Sequence, residues 1–386
     1  MSGPLVYIIA GEPSGDVLGG RLMRAIGHET DNQATFAGVG GHDMTEAGFE
    51  SLFPMQDLTV MGLAEVLPRV PLLLRRISET ADDILAKKPD VVVTIDAPDF
   101  CFRVAKKIKG AGIPVVHYVA PSVWAWRPGR AKKVANLVDH VMCLLPFEPP
   151  YFEKEGTKAT FVGHSILESS ADKGEGAAFR KRHGIAADAP LLALLPGSRK
   201  GEASRLMPVF METLERLRKA LPTMHVVAPA APGVAGMVRA ALVDLPARNV
   251  TVIEGEAEKY DAFAAADAAL AASGTVSLEL AMAGVPTVIA YRVQALTAAI
   301  ARQLIKVPYV SIINILQQRA IMPEYLQEKC TANKLAGAVS KLLSSPEART
   351  AQANDIASAL AQLRAGDLAP SMAAARVVLS EANKRA

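Results

Sequence analysis

The 386-residue sequence is short of cysteine, of aromatic residues and of net charge, and each shortage closes off a class of protein. Its three cysteines, Cys101, Cys143 and Cys330, lie far apart without a CxxC pair, which argues against a disulfide framework or a zinc ribbon and agrees with a reducing cytoplasm. Seven histidines show neither HxxxH nor HxH spacing, so no metal and no cofactor is expected. A net charge of +3 is too weak to indicate a nucleic-acid partner. Long apolar runs are missing too. The best stretch, residues 268–291, is interrupted by Gly274, Glu279, Gly284 and Pro286, so it is expected in a core rather than across a bilayer. The first ten residues carry no basic segment and read as a strand, not a secretory signal. No GxGxxG follows that strand, which argues against a dinucleotide-dependent redox enzyme.

What is present is apolar content, 50% of a chain too long for one ordinary core. Short runs rich in Val, Ile and Leu alternate with helical patterns, as in parallel sheets covered on both faces. Strands are expected at 6–10, 34–39, 91–95, 113–120, 138–144 and 159–164. After a polar stretch at 168–184 they resume at 191–195, 224–229, 250–253, 268–272 and 285–290. The fold class is therefore α/β, with two doubly wound Rossmann-like domains, 1–167 and 168–366, and a cleft between them. The Ala-rich tail is helical, and its last piece, 367–386, is expected to pack back on the first domain or on a partner subunit, so a homo-oligomer is compatible.

In such sheets, ligands sit beyond the carboxyl ends of the strands, and the polar residues collect there. Val91-Val-Val-Thr-Ile-Asp-Ala-Pro-Asp99 ends in two carboxylates, where Asp99 reads as a helix cap and Asp96 as a strand end or a catalytic group. Gly11-Glu-Pro-Ser-Gly-Asp16 is a strand–loop–helix junction; Ser14 and Asp16 fit a cap, whereas Glu12 has no capping duty and is a site candidate. Pro121-Ser-Val-Trp-Ala-Trp-Arg127 holds both tryptophans, Trp124 and Trp126, beside Arg127, suited either to a sugar and its phosphate or to a hydrophobic lid. In the second domain, Pro196-Gly-Ser-Arg199 offers an arginine for a diphosphate, and Ser273-Gly-Thr275 a helix start for phosphate. Glu279 can accept bonds from a ribose diol, and Asn314, after an apolar run, can read an amide or hydroxyl.

One segment fits a membrane surface. Leu63, Val66, Leu67, Val70, Leu72, Leu73 and Leu74 cover more than one helical face, are flanked by Arg69, Arg75 and Arg76, and are broken by Pro68 and Pro71. A pair of core helices is the competing reading.

Together these motifs, with His117-Tyr-Val-Ala-Pro-Ser-Val-Trp-Ala-Trp-Arg127 and 309–314, resemble the lipid-A-disaccharide synthase family nearly end to end. The resemblance implies a GT-B glycosyltransferase that transfers 2,3-diacylglucosamine from UDP to the 6-hydroxyl of 2,3-diacylglucosamine 1-phosphate, without metal and with inversion. It implies Asp96 as general base with Glu12 in the same pocket, and Arg199, Ser273, Gly274, Thr275, Glu279 and Asn314 as the donor site. Ser14, Trp124, Trp126 and Arg127 are then acceptor candidates. The enzyme is expected on the cytoplasmic face of the inner membrane. The family more often has Asn at Cys101, Ser at Ala120, Pro at Ile313, and Gly-Arg-Glu where this chain reads Gln318-Arg319-Ala320. A UDP-sugar epimerase of the same fold and a non-catalytic membrane-docking module are the competing functions.

Overall fold

The computed structural model describes residues 3–58, 63–126, 129–246, 249–255, 258–294 and 307–384, with the backbone alone at 63–67 and 126. The chain divides into two compact units, Met1–Leu167 with Leu363–Ala386, and Glu168–Gln362. Each is built on a six-stranded parallel sheet. The first contains β1 (Leu5–Ala10), β2 (Thr35–Val39), β3 (Val91–Ile95), β4 (Val115–Tyr118), β5 (His140–Cys143) and β6 (Lys158–Phe161), in the order β2-β1-β3-β4-β5-β6. The second contains β7 (Leu191–Leu195), β8 (His225–Ala230), β9 (Val250–Glu254), β10 (Ala268–Ala272), β11 (Thr287–Tyr291) and β12 (Glu324–Leu326), in the order β12-β11-β10-β7-β8-β9.

Helices cover both faces of the first sheet, so its strands alternate between two apolar layers. Tyr7, Ile9, Val92 and Val141 pack on one side, and Val6, Ile8, Val93 and Met142 on the other. Strands β3, β7 and β10 are buried at every residue. Strand order reverses between β1 and β3 in the first sheet and between β10 and β7 in the second. At such a reversal the two connections leave in opposite directions and open a crevice at the strands' carboxyl ends.

One expectation is corrected here. Pro68 and Pro71 do not break the helix; one helix, Leu63–Lys87, runs through both. Ile77, Ala81 and Ile84 anchor its later turns in the core, and this packing outweighs the local cost of proline. The apolar run at 309–314 feeds a helix, Ile312–Gln317, and the next strand is the short β12. Among the described residues no helix is long and apolar enough to cross a membrane.

The last helix, Pro370–Ala382, belongs to the first unit. Ala374, Ala375, Val378 and Ala382 pack with Leu22 and Ile26 of the helix Pro13–Glu29 in one apolar cluster. A buried polar link fixes its end: Glu381 meets His140 Nδ1 at 2.9 Å and Lys158 at 3.7 Å, and also pairs with Lys384. Burial would raise the Glu381 carboxyl, but Lys384 and His140 outweigh it and hold the group below the usual range. A depressed folded-state value makes this link stabilising above the ordinary carboxylate range and lost as pH falls through the folded value. Glu381→Ala is expected to cost the N-terminal unit about 2 kcal/mol, a fall of about 4–8 °C in its calorimetric transition. An unchanged transition would show the link to be energetically idle.

Candidate active site

In the second unit, the loops after β7 and β10 flank the strand-order reversal and line one pocket of about 470 Å³. Arg199, Ser273, Gly274, Thr275 and Glu279 all line it, so the structure brings five of the sequence-identified donor residues together. Arg199 is the N-cap residue of the helix Lys200–Ala220, and Gly274 that of the helix Thr275–Met282. Neither helix start is closed by a side-chain cap at that residue, so both present backbone N–H groups suited to a phosphate. Gly197 permits the first turn: its φ is +104°, and a Cβ there would lie 2.1 Å from Glu202 Oε2.

The charges in this pocket are arranged as pairs. Glu279 Oε1 accepts from Lys259 Nζ at 3.0 Å and from Tyr260 Oη at 3.3 Å, so this glutamate is an oriented group rather than a solvated one. Lys259, Glu202 and Tyr291 line the same pocket and were not legible in the sequence. Burial raises the Glu202 carboxyl, and Arg199 and Arg205 oppose that rise. Lys259 opens a helix after β9, and only the folded chain sets it against Glu279.

In the first unit, the loops after β1 and β3 flank the other reversal and touch. A Cβ on Gly11 would lie 2.9 Å from the Cβ of Ala97, which brings the residues next to them, Glu12 and Asp96, to the same end of neighbouring strands. Asp96 and Ala97 are both left-handed, with φ of +47° and +41°. This is a costly conformation for non-glycine residues, and such strain collects at functional sites. Asp96 N–H donates to Tyr118 O at 3.0 Å, tying the turn to β4. Burial raises the Asp96 carboxyl above its ordinary value, with a bond from the Ala97 N–H opposing. One step back along the paired strands, Thr94 Oγ1 lies 2.8 Å from His117 Nδ1, and burial lowers that imidazole to about 3, so it remains neutral.

Glu12 occupies the N-cap position of the helix Pro13–Glu29 but makes no side-chain cap bond, and its side chain is exposed. Ser14, two residues on, is exposed as well. Asp16 caps nothing in its own helix; it accepts from the N–H groups of Gly41, Asp43 and Met44 at 2.7, 2.9 and 3.2 Å, locking the loops after β1 and β2 together. Trp124 is half-buried, donates from Nε1 to Glu148 at 3.0 Å and sets its ring edge-on to Phe147. Glu148 is itself buried, and that burial raises its carboxyl to about 7 against the bonds it accepts.

Several expectations are not met. Asn314 does not line the donor pocket: it is fully buried, donates to Met322 O and Glu324 Oε1, and accepts from the Ile321 and Met322 N–H groups. Its amide braces the turn before β12. Asp99 is not the cap of its helix, which begins at Pro98 with Ala97 as N-cap; Asp99 lies exposed in the first turn, where its charge suits the helix dipole. Arg76 is held internally by Asp57 at 2.6 Å and Glu79 at 2.7 Å, over the Phe53 ring. Cys101 is fully buried. Arg127 and the side chains of Trp126, Leu63, Val66 and Leu67 lie outside the described residues.

Two doubly wound units, one with an uncapped helix start and, on that same helix, a glutamate paired with Lys259, fit a nucleotide-sugar enzyme of the GT-B class. Solved structures share this fold: MurG of Acinetobacter baumannii superimposes with a TM-score of 0.61 at 15% identity, covering 98% of this chain and 100% of that one. A UDP-GlcNAc 2-epimerase from Neisseria meningitidis does so with a TM-score of 0.61 at 15% identity, covering 98% and 99%. At these identities the likeness shows the fold alone. Sequence resolves the rest. The family model for lipid-A-disaccharide synthetase matches residues 6–376. A lipid-A-disaccharide synthase of Rhodospirillum centenum is 54% identical, covering 99% of this chain and 95% of that protein. One of Granulibacter bethesdensis is 50% identical, covering 89% and 87%. The chain belongs to the lipid-A-disaccharide synthase family, and is a UDP-sugar-dependent glycosyltransferase of lipid A assembly.

If Lys259 orients Glu279, Lys259→Met is expected to weaken UDP binding about tenfold by calorimetry, with Arg199→Ala weakening it at least as much. UDP affinity unchanged in Lys259→Met would leave the ion pair a merely structural one.

Proposed function

We propose that the family's reaction is divided between the two units of this chain, the donor nucleotide on the C-terminal one and the acceptor on the N-terminal one. The donor is UDP-2,3-diacylglucosamine and the acceptor 2,3-diacylglucosamine 1-phosphate. The acceptor 6-hydroxyl attacks the anomeric carbon while the bond to the UDP oxygen breaks, giving the β-1,6 disaccharide 1-phosphate and UDP with inversion. The hydroxyl proton passes to a carboxylate, and the bonding pair leaves with the diphosphate.

Asp96 is the base in this scheme, and one observation carries the choice: a half-buried carboxylate held in a strained turn beside the strand-order reversal. Its raised pKa makes it a stronger base than an ordinary aspartate. Glu12, from the adjoining loop, is the competing base. Ser14 and Trp124 line the acceptor side, with Trp126 and Arg127 assigned to it from sequence. On the donor side, Arg199 and the N–H groups at Ser273-Gly-Thr275 receive the diphosphate, and they stabilise the charge that develops on it. Glu279, its Oε1 fixed by Lys259 and Tyr260, turns Oε2 to the ribose diol.

Both substrates carry acyl chains, so the enzyme works peripherally at the cytoplasmic face of the inner membrane. Val70 and Leu74 are exposed, and Leu72 and Leu73 half-exposed, along one stretch of the helix Leu63–Lys87. Arg69 and Arg75 are exposed beside them and supply charge for anionic headgroups, while Arg76 is held inside the fold.

Asp96→Asn is expected to lower kcat by about a hundredfold or more, and to abolish the acid limb of the pH–rate profile. That limb arises because activity falls as pH drops through the raised Asp96 value. Glu12→Gln keeps the limb if Asp96 is the base; loss of the limb in Glu12→Gln alone would transfer the role. For docking, replacing Leu72, Leu73 and Leu74 with Ser is expected to reduce co-sedimentation with anionic liposomes several-fold. Undiminished sedimentation would place the docking surface elsewhere.

A further inference from the structure

Both tryptophans of the chain fall in the single turn Val123–Trp126, at the carboxyl end of β4. That turn is reached through Val119, whose φ is +76°. A β-branched residue in the left-handed region costs about 1–3 kcal/mol and persists only where its surroundings impose it. The Val119 N–H donates to Met142 O of β5 at 3.2 Å, so the strained residue is tied to the neighbouring strand. Glu148 adds a second tie between the same two strand ends. Its Oε1 accepts from Trp124 Nε1 at 3.0 Å, and its Oε2 accepts from the N–H groups of Leu144 and Leu145 at 3.1 and 3.0 Å, just beyond β5. Only 3% of Glu148 is exposed, so this carboxylate does not itself face a ligand. Phe147, beside it in sequence, holds the indole edge-on at 5.1 Å between ring centroids.

We propose that Glu148 is a positioning residue for the acceptor, a buried bracket that presets the Trp124 ring and the Val123–Trp126 turn. This rests on the reading that the N-terminal unit receives the acylated glucosamine 1-phosphate. A buried carboxylate taking three N–H bonds leaves little freedom to the groups that donate them. An acceptor sugar stacking on the indole then meets a ring already in place, and the ordering cost is not charged to binding.

The test uses the full-length enzyme with Glu148→Gln, Trp124→Phe and the double variant. In Glu148→Gln, whichever way the amide is turned, its NH₂ faces an N–H donor, so the bracket loses its acceptor geometry while volume is kept. The acceptor KM is expected to rise about tenfold, with kcat and the donor KM within about twofold. Tryptophan emission, which reports this turn alone, is expected to shift to the red. The double variant is expected to be no worse than the more impaired single one, because both changes disable the same bracket. Native emission with an unchanged acceptor KM in Glu148→Gln overturns the bracket. Red-shifted emission with the native acceptor KM in both single variants overturns the acceptor role, while leaving donor chemistry and Asp96 untouched. Should Glu148→Gln fail to fold by circular dichroism, Trp124→Phe decides alone: it keeps an aromatic face but removes the N–H that Glu148 holds, and an unchanged acceptor KM refutes the proposal.

Discussion

A parallel strand buried on both faces can carry functional groups only where it ends, and this limit organises the chain. Strands β3, β7 and β10 have no exposed residue along their length, so the polar side chains they offer to a ligand stand in the first few residues beyond them. Thr94, the polar residue inside β3, is engaged in a buried contact with His117. Where strand order reverses, neighbouring connections part and leave room for a ligand. The reversal between β1 and β3 gathers Glu12 and Asp96, and the one between β10 and β7 gathers Arg199 and Ser273-Gly-Thr275. Chemistry and topology are the same fact in each sheet.

The two ends are built differently. The pocket beyond β7 and β10 combines backbone N–H groups with paired charges, Lys259 on Glu279 and Arg199 near Glu202, and suits a diphosphate and a diol. The other end has acidic groups, neutral histidine and an anchored indole. His117 is kept uncharged by burial and supplies no cation to Asp96, whose proton affinity is set by partial desolvation.

Much of this was legible in sequence because it is local. Apolar runs followed by glycine, serine or carboxylate residues mark strand ends without reference to partners, and the Pro-Gly-Ser-Arg199 and Ser273-Gly-Thr275 turns are read from their own residues. What could not be read is set by residues distant in the chain. Lys259 becomes a pocket residue only through Glu279, twenty positions later. Asn314 looks like a ligand-reading amide until the turn at 321–324 folds over it and takes up its donors and acceptors. The prolines at 68 and 71 predict a break from local sterics, and core packing of the later turns overrides them. Asp16 resembles a helix cap and instead braces the next crossover.

The return of the helix Pro370–Ala382 to the first unit has a consequence for how the protein is made. One apolar layer of the first sheet is completed only by Ala374, Ala375 and Val378, and His140 waits for Glu381. A ribosome releases residues in order, so the intervening unit, Glu168–Gln362, has all its own residues available while the earlier one still lacks its final helix. During synthesis one apolar face of the N-terminal sheet is therefore covered by the helix Pro13–Glu29 but still lacks its second helix, and the part of the chain begun first is the last to be finished.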